Sequence, residues 1–241
     1  MNEIFPMRLQ KYLAACGLGS RRTCEQYIAD GDVSINGIII SQHGTKVVEG
    51  DSVCYRDREM VLLRKKYFVL NKPAGYLSSN SDPHHEDYAR DLINEPEKSS
   101  LFHVGRLDLY STGMIIFTND GAFAQKVSHP KYEFEKEYFV TLRQQINEDD
   151  FIQVQKYGLA DDGEMLKIKE VRFLDEHSMH LILKEGKNRE IRRICYHYGY
   201  TIDKLHRIRI GEVLLGSLPE GSYREMTEIE ISSILERGEN T

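Results

Sequence analysis

The chain has 241 residues, enough for one ordinary domain and a small companion. It is 40% hydrophobic and 29% charged, which predicts a globular protein, and no run approaches the roughly 18 apolar residues of a membrane span. A net charge of −6 excludes a protein that coats nucleic acid by bulk attraction.

Met1–Gln10 lacks the basic-then-apolar plan of a secretion signal. Arg8–Cys16 places apolar residues at 9, 12, 13 and 16, a helical period that Gly17 and Gly19 break. Ser20 is positioned to cap a second helix over 21–29, ended by Asp30-Gly31. Val33–Ile35 and Ile38–Ile40 flank Asn36-Gly37, the strongest short hairpin signal. Lys46–Val48 and Ser52–Tyr55 flank another tight turn at Glu49-Gly50-Asp51. The polar stretch Arg56–Met60 opens a connection near 56–66. Residues 1–60 are therefore expected to form a small module, 61–66 a linker and 67–241 the main domain.

In the main domain Tyr67–Leu70 reads as a strand entering the turn Asn71–Gly75, and Met114–Phe117 as a buried strand. Asn119-Asp120-Gly121 leads into a helix to Ser128, and Tyr138–Leu142 is rich in strand-forming residues. Asn147 should cap a helix to about Tyr157. Strands near 164–174 and 178–184, a helix from Asn188 to Tyr198 and strands near 202–215 follow. Thr227–Glu230 is a capping box for a last helix. Many strands with few helices predict an α+β fold with a mixed or mainly antiparallel sheet.

Charge is uneven along this plan. Residues 184–209 carry eight Lys/Arg against three Asp/Glu, while 212–241 carry two against seven. A local basic cluster on an acidic chain predicts focused phosphate contacts. Four scattered cysteines, Cys16, Cys24, Cys54 and Cys195, read as reduced thiols of a cytosolic protein. No histidine pattern has metal-ligand spacing, and His84-His85 reads as part of a solvated loop.

Four segments can carry chemistry. In Gly105-Arg106-Leu107-Asp108, two glycines (105 and 113) bracket an Arg and an Asp just before a buried strand, although spacing alone favours a turn aspartate capping its own backbone. Glu185–Cys195 predicts a helix with a buried stripe of Ile191, Ile194, Cys195 and Tyr198. Arg189, Arg192, Arg193 and Tyr196 then fall on flanking faces, either gripping phosphate, pairing with a carboxylate, or simply solvated. Lys136-Glu137-Tyr138 sets an aromatic beside a cation, fit for stacking on a base or for the core. Arg8, Lys11, Ser20, Arg21 and Arg22 form an amino-terminal basic set at a helix start that favours phosphate.

Taken together, these segments resemble one family. Residues 7–55, with Arg8-Leu9-Gln10-Lys11 through Arg22 and then Val33–Gly37, resemble an S4 (αL-type) RNA-binding domain. Residues 66–236 resemble the catalytic domain of the RsuA-type bacterial ribosomal RNA pseudouridine synthases. They carry Asn71–Gly75, Gly105–Asp108 with Thr112-Gly113 and Thr118–Gly121, Lys136–Tyr138, and Glu185–Arg193 in the family's order. The resemblance implies a mixed, mostly antiparallel sheet with a central cleft, no cofactor and no metal. It implies that Asp108 is the catalytic aspartate, that Tyr138 stacks on the target uracil, and that Arg192 pairs with the aspartate. Arg106 and Lys136 are expected at the substrate, and Lys187, Arg189 and Arg193 at the RNA. Lys72 and Pro73 match a motif with a mainly structural role. Asn188–Arg193 resembles the branch that modifies large-subunit (23S) RNA. Glu190 departs from the glutamine common in the family and leaves the exact target open, with 16S RNA and tRNA as alternatives. A cytoplasmic monomer acting on ribosomal RNA or a pre-ribosomal particle is expected; a catalytically idle assembly protein and a hydrolase are the competing readings.

Overall fold

The computed structural model describes residues 5–79 and 86–237, so the His84-His85 pair lies outside the described residues. The chain forms two compact units. One runs up to Lys66 and includes Glu95–Leu101; the other comprises Tyr67–Asn94 and the chain from Phe102 onward.

In the first unit, β1 (Met7–Arg8) leads into α1 (Leu9–Ala15) and α2 (Arg21–Ala29). These precede β2 (Val33–Ile35), β3 (Ile38–Ile39), β4 (Lys46–Val47), β5 (Val53–Tyr55) and β6 (Arg58–Glu59). The helices form because their apolar positions share one face: Leu9, Tyr12, Leu13, Cys24 and Ile28 bury together against Val33, Val47 and Val53. Ser20 caps α2 as expected, its hydroxyl accepting the Thr23 N–H. Asn36 and Gly37 both take positive φ, +51° and +78°, as a two-residue hairpin turn requires.

Two expectations need correction. The strands flanking Glu49–Asp51 do not pair with each other. The Asp51 carboxylate accepts the Val48 N–H and the Asn36 amide, each at 2.8 Å, and so ties this turn to the neighbouring hairpin. β4 therefore pairs with β1, and β5 pairs with β2. Nor is Arg56–Met60 a linker. Arg56 and Asp57 turn the chain with positive φ so that β6 pairs with β5, and the buried Met60 offers its carbonyl to the Tyr12 hydroxyl at 2.9 Å.

The second unit contains β7 (Tyr67–Lys72), β8 (Phe102–Val104), β9 (Thr112–Thr118), α3 (Gly121–Ser128), β10 (Lys136–Leu142), α4 (Glu148–Tyr157), β11 (Leu159–Asp161), β12 (Glu164–Leu166), β13 (Glu170–Phe173), β14 (Ser178–Leu183), α5 (Glu190–His197), β15 (Ile202–Ile210), β16 (Val213–Leu214), β17 (Tyr223–Glu225) and α6 (Glu228–Leu235). Nine of these strands form one sheet in the order β13-β14-β10-β15-β9-β7-β17, with β16 on β15 and β8 on β9. β9 and β15 run parallel, and the other ladders are antiparallel. The sheet is thus mixed and mostly antiparallel. Val69, Met114 and Ile116 pack under Phe123 and Val127 of α3 and Ile234 of α6. The capping box at Thr227 and Glu230 is formed in full.

Local expectations fail where side chains compete. Asn147 occupies the cap position of α4, but its amide bonds Asp150 instead of capping. The span 164–174 is not one strand, because β12 turns back on β11 while β13 joins β14. Helix α5 starts at Glu190 rather than Asn188, since Arg189 takes a left-handed φ of +49°. Its buried face is Glu190, Ile191, Ile194 and Cys195, with Tyr198 half-buried at the C-cap.

Candidate active site

A cavity of about 290 Å³ opens in the second unit and takes lining from Asp108, Ser111, Lys136, Tyr138, Glu190, Arg192 and Arg207, among others.

Asp108 sits on the loop that joins β8 to β9. This loop is held from below by the segment after β7. Lys72 is fully buried, and its ammonium donates to the carbonyls of Tyr76 at 2.8 Å, Pro73 at 2.9 Å and Leu109 at 3.2 Å. The Gly75 N–H also donates to Leu109 O, and the Ser78 hydroxyl both donates to Leu107 O and accepts from Leu107 N–H. The Asn71–Gly75 motif thereby works as a cradle for the Asp108 loop. Burial pulls the Lys72 ammonium down to about 8, and the nearby Asp108 carboxylate works against that pull. From the other side, the His103 ring nitrogen donates to Gly105 O at 2.8 Å.

Arg192 projects from α5 onto this loop. Its Nε donates to Asp108 Oδ2 at 3.2 Å and its Nη2 to the Ser111 hydroxyl at 2.9 Å. The Asp108 side chain remains 39% exposed, so the carboxylate is fixed by one edge and open to the cavity.

Tyr138 and Arg207 are direct cross-strand partners on β10 and β15, so they share a face. Tyr138 is 8% exposed. Arg207 donates through Nη1 to the Tyr138 hydroxyl at 3.4 Å and through Nε to Met114 O at 2.7 Å. Gly113 makes this possible: it faces Arg207 across the parallel ladder, and a Cβ there would lie 2.3 Å from Arg207 O. Lys136, two residues before Tyr138 on the same face, donates to Glu185 O at 2.7 Å and Phe134 O at 3.2 Å. Burial, then the Arg207 charge, lowers Lys136 to about 8, against the pull of Glu190 and Glu185.

Glu190 is 4% exposed, and its two oxygens accept the N–H groups of Lys167 and Lys187, each at 3.1 Å. It staples the start of α5 to the strand connection below. Burial raises its carboxyl above the usual range, while these two donors pull the other way.

The remaining expected residues divide by what they hold. Arg106 and Arg189 line the cavity and are exposed. Lys187 donates to Met165 O at 2.6 Å and pairs with Glu185. Arg193, expected at the RNA, is instead taken up by Asp161 and by Glu164 at 2.5 Å, and so fastens the β11–β12 hairpin to α5. In the first unit Arg8, Arg21 and Arg22 are exposed, Lys11 is half-buried, and the Ser20 hydroxyl is spent on its helix cap. Sequence reasoning missed Ser78, Ser111 and Arg207. Arg207 carried a sequence signal only as one of the basic residues of the 184–209 cluster, and Ser111 only as a member of the segment between Asp108 and Gly113.

The arrangement sets one carboxylate, held along one edge by Arg192, beside an aromatic ring in a cavity rich in cations. It fits a flat neutral ring joined to an anionic backbone, and it offers the carboxylate for covalent or general-base work.

Residues 66–197 match the family model described as RNA pseudouridylate synthase, and residues 7–53 match that of the S4 domain. The chain is 38% identical over 235 residues to a Borreliella burgdorferi protein named as an uncharacterized RNA pseudouridine synthase, with 95% of this chain and 94% of that one covered. It is 34% identical over 242 residues to the dual-specificity RNA pseudouridine synthase RluF of Escherichia coli, covering 98% of this chain and 80% of the other. Ribosomal large subunit pseudouridine synthase B of Pseudomonas aeruginosa is 33% identical over 241 residues, covering 95% and 62%. A crystal structure of a pseudouridylate synthase matches with a TM-score of 0.70 at 30% identity, covering 95% of this chain and 99% of that one. The chain therefore belongs to the RNA pseudouridylate synthase family, whose members turn uridine in RNA into its C-glycoside isomer, and carries an S4 domain ahead of the catalytic one.

Proposed function

We propose that this chain isomerises uridine at a defined position of 23S ribosomal RNA, with Asp108 as the catalytic group. The observation that carries the assignment is the Arg192–Asp108 contact of 3.2 Å in a cavity shared with Tyr138. The large-subunit name of the Pseudomonas relative supports the substrate. The reaction breaks N1–C1′ and forms C5–C1′, so the product has the atoms of the substrate, and neither an electron carrier nor a metal is required. A target uridine leaves its stack at a cost of a few kcal/mol, and Tyr138 replaces part of the lost stacking. Arg106 and Arg189 take the phosphates beside the target, and Arg8, Lys11, Arg21 and Arg22 take RNA farther along. Lys187 and Arg193 serve the fold, because their donors are already engaged. A ribosomal substrate supports a cytoplasmic site of action.

The test is Asp108→Asn on precursor rRNA, read by carbodiimide treatment and primer extension. Pseudouridine formation is expected to vanish while RNA binding persists. Undiminished product from the variant would remove Asp108 from its role. If the unaltered protein makes no pseudouridine on rRNA, tRNA or partly assembled subunits, a non-catalytic RNA-binding role replaces the enzymatic one.

A further inference from the structure

Four guanidinium groups line the cavity, and they differ in what they already hold. Arg192 is engaged by Asp108 and Ser111, and Arg106 and Arg189 are exposed. Arg207 is different. It is 2% exposed, it has no carboxylate partner among the described residues, and its Nη2 is buried without any hydrogen bond. The charges that feel it include Lys72 and Lys136, both of the same sign. Carboxylates of Asp108 and Glu220 act on Lys72, and those of Glu190 and Glu185 on Lys136, whereas the buried Arg207 has no such partner of its own among the described residues and gains when an anion arrives to meet it.

The chemistry supplies such an anion. If the Asp108 carboxylate attacks C1′, a C–O bond forms, N1–C1′ breaks, and its electron pair stays on N1, delocalised to O2 and O4. If the carboxylate adds to C6, the C5=C6 π pair moves to C5 and on to O4. If it removes the C2′ proton, the C–H pair becomes C1′=C2′ and N1 again leaves with the glycosidic pair. In all three, one negative charge leaves Asp108 and appears on the pyrimidine. Arg192 stabilises that charge where it starts. A cation facing the ring stabilises it where it arrives, and only the second kind of interaction lowers the barrier.

Resting on the assignment of Asp108 and Tyr138 to the reaction, we infer that Arg207 stabilises the negative charge that develops on the pyrimidine and orients Tyr138 to hold that ring. Its position serves both tasks. It is the cross-strand neighbour of Tyr138, its guanidinium carbon lies 6.0 Å from the tyrosine ring centroid, and its Nη1 grips the hydroxyl. The Met114 carbonyl holds the guanidinium, and the close approach of Gly113 fixes the Arg207 backbone that carries it.

The experiment uses the full chain and a 23S ribosomal RNA fragment containing the mapped target, made with either uridine or 4-thiouridine at that position. Sulfur at C4 carries negative charge better than oxygen does. Single-turnover product formation at saturating RNA is measured by nuclease digestion and chromatography. Arg207→Met is expected to lower the rate on uridine by about 100-fold, as loss of a charge-stabilising donor does. The loss on 4-thiouridine is expected to be clearly smaller. Arg207→Gln, which removes the charge but keeps a hydrogen-bonding side chain, is expected to show the same smaller loss on 4-thiouridine, and it carries the test if Arg207→Met does not fold. Arg207→Lys, which keeps the charge, is expected to retain the wild-type ratio between the two substrates. In the two uncharged variants a purely structural role would depress both substrates by the same factor, and that result, or an undiminished rate on uridine, overturns the inference. If the unaltered enzyme converts neither substrate, the functional reading itself falls.

Discussion

Lys136 joins local structure to the pH behaviour of the site. It is held by two carbonyls, and burial brings its ammonium down to about 8 from 10.5. Between those two values the unfolded chain binds more protons than the folded one. The Lys136 contribution to stability therefore rises as pH increases through that window. Activity should move the other way, since deprotonation removes a cation from the cavity and weakens its grip on the loop at Glu185. The expected outcome is that kcat/KM declines above about pH 8 and that Lys136→Arg moves this decline to higher pH. Over the same range the melting temperature of the unaltered protein should rise relative to that of Lys136→Met. Parallel pH profiles for enzyme and Lys136→Arg would show that Lys136 does not govern the alkaline limb. Single residues of this kind were partly legible in the sequence. Asp108, Tyr138 and Arg192 were visible because each sits in a short motif whose neighbours repeat the pattern. Arg207 was not, because its importance lies in facing Tyr138 across a ladder and Gly113 across another, and neither partner is near it in sequence.

At the scale of elements, the parallel step between β9 and β15 organises the site, and Gly113 is its weak point. The glycine takes a φ of +100°, and a Cβ would meet Arg207 O at 2.3 Å and Arg207 N at 2.6 Å, both backbone atoms that cannot swing aside. Gly113→Ala should therefore push the strands apart or strain the turn out of the loop that carries Asp108. The expected cost is roughly 3 kcal/mol or more, read as a lowered urea midpoint, together with loss of turnover. A variant with unchanged midpoint and rate would mean that the ladder relaxes freely at this point. Helices, caps and the Asn36-Gly37 hairpin were legible in advance because their signals are local, fixed by 3.6-residue spacing or by which residues tolerate positive φ. The sheet order was not. Placing β15 between β10 and β9 joins segments 60 or more residues apart, and the alternation within each strand says which face is buried but not which strand lies beside it. The short strand β8 and the edge strand β17 escaped for the same reason: they read as loop until a long neighbour supplies a ladder.

For the whole molecule, the balance between a net charge of −6 and local basic sets decides how RNA is met. An acidic chain gains little from long-range attraction, so affinity rests on a small number of placed contacts, each releasing counterions from the RNA. The first unit contributes exposed arginines at the start of α2, on a helix whose end is ordered by the Ser20 cap and by Cys24 and Ile28 in the core. Arg21 and Arg22 are exposed and have no part in that core, so replacing both with alanine should leave the unit folded. Two phosphate contacts fewer should flatten the slope of log K against log salt by about 1.5 to 2. The loss of affinity is then large in dilute salt and shrinks as salt rises, because the screened contacts were worth less there. Turnover at saturating RNA should stay within about twofold of the unaltered enzyme, since Asp108, Tyr138 and Arg192 all lie in the second unit. Titrating RNA at several salt concentrations, with single-turnover rates measured at each plateau, separates the two quantities. An unchanged salt slope would mean that these arginines do not touch phosphate. A marked fall in the plateau rate would mean that the first unit sets which uridine enters the cavity, beyond holding the RNA nearby.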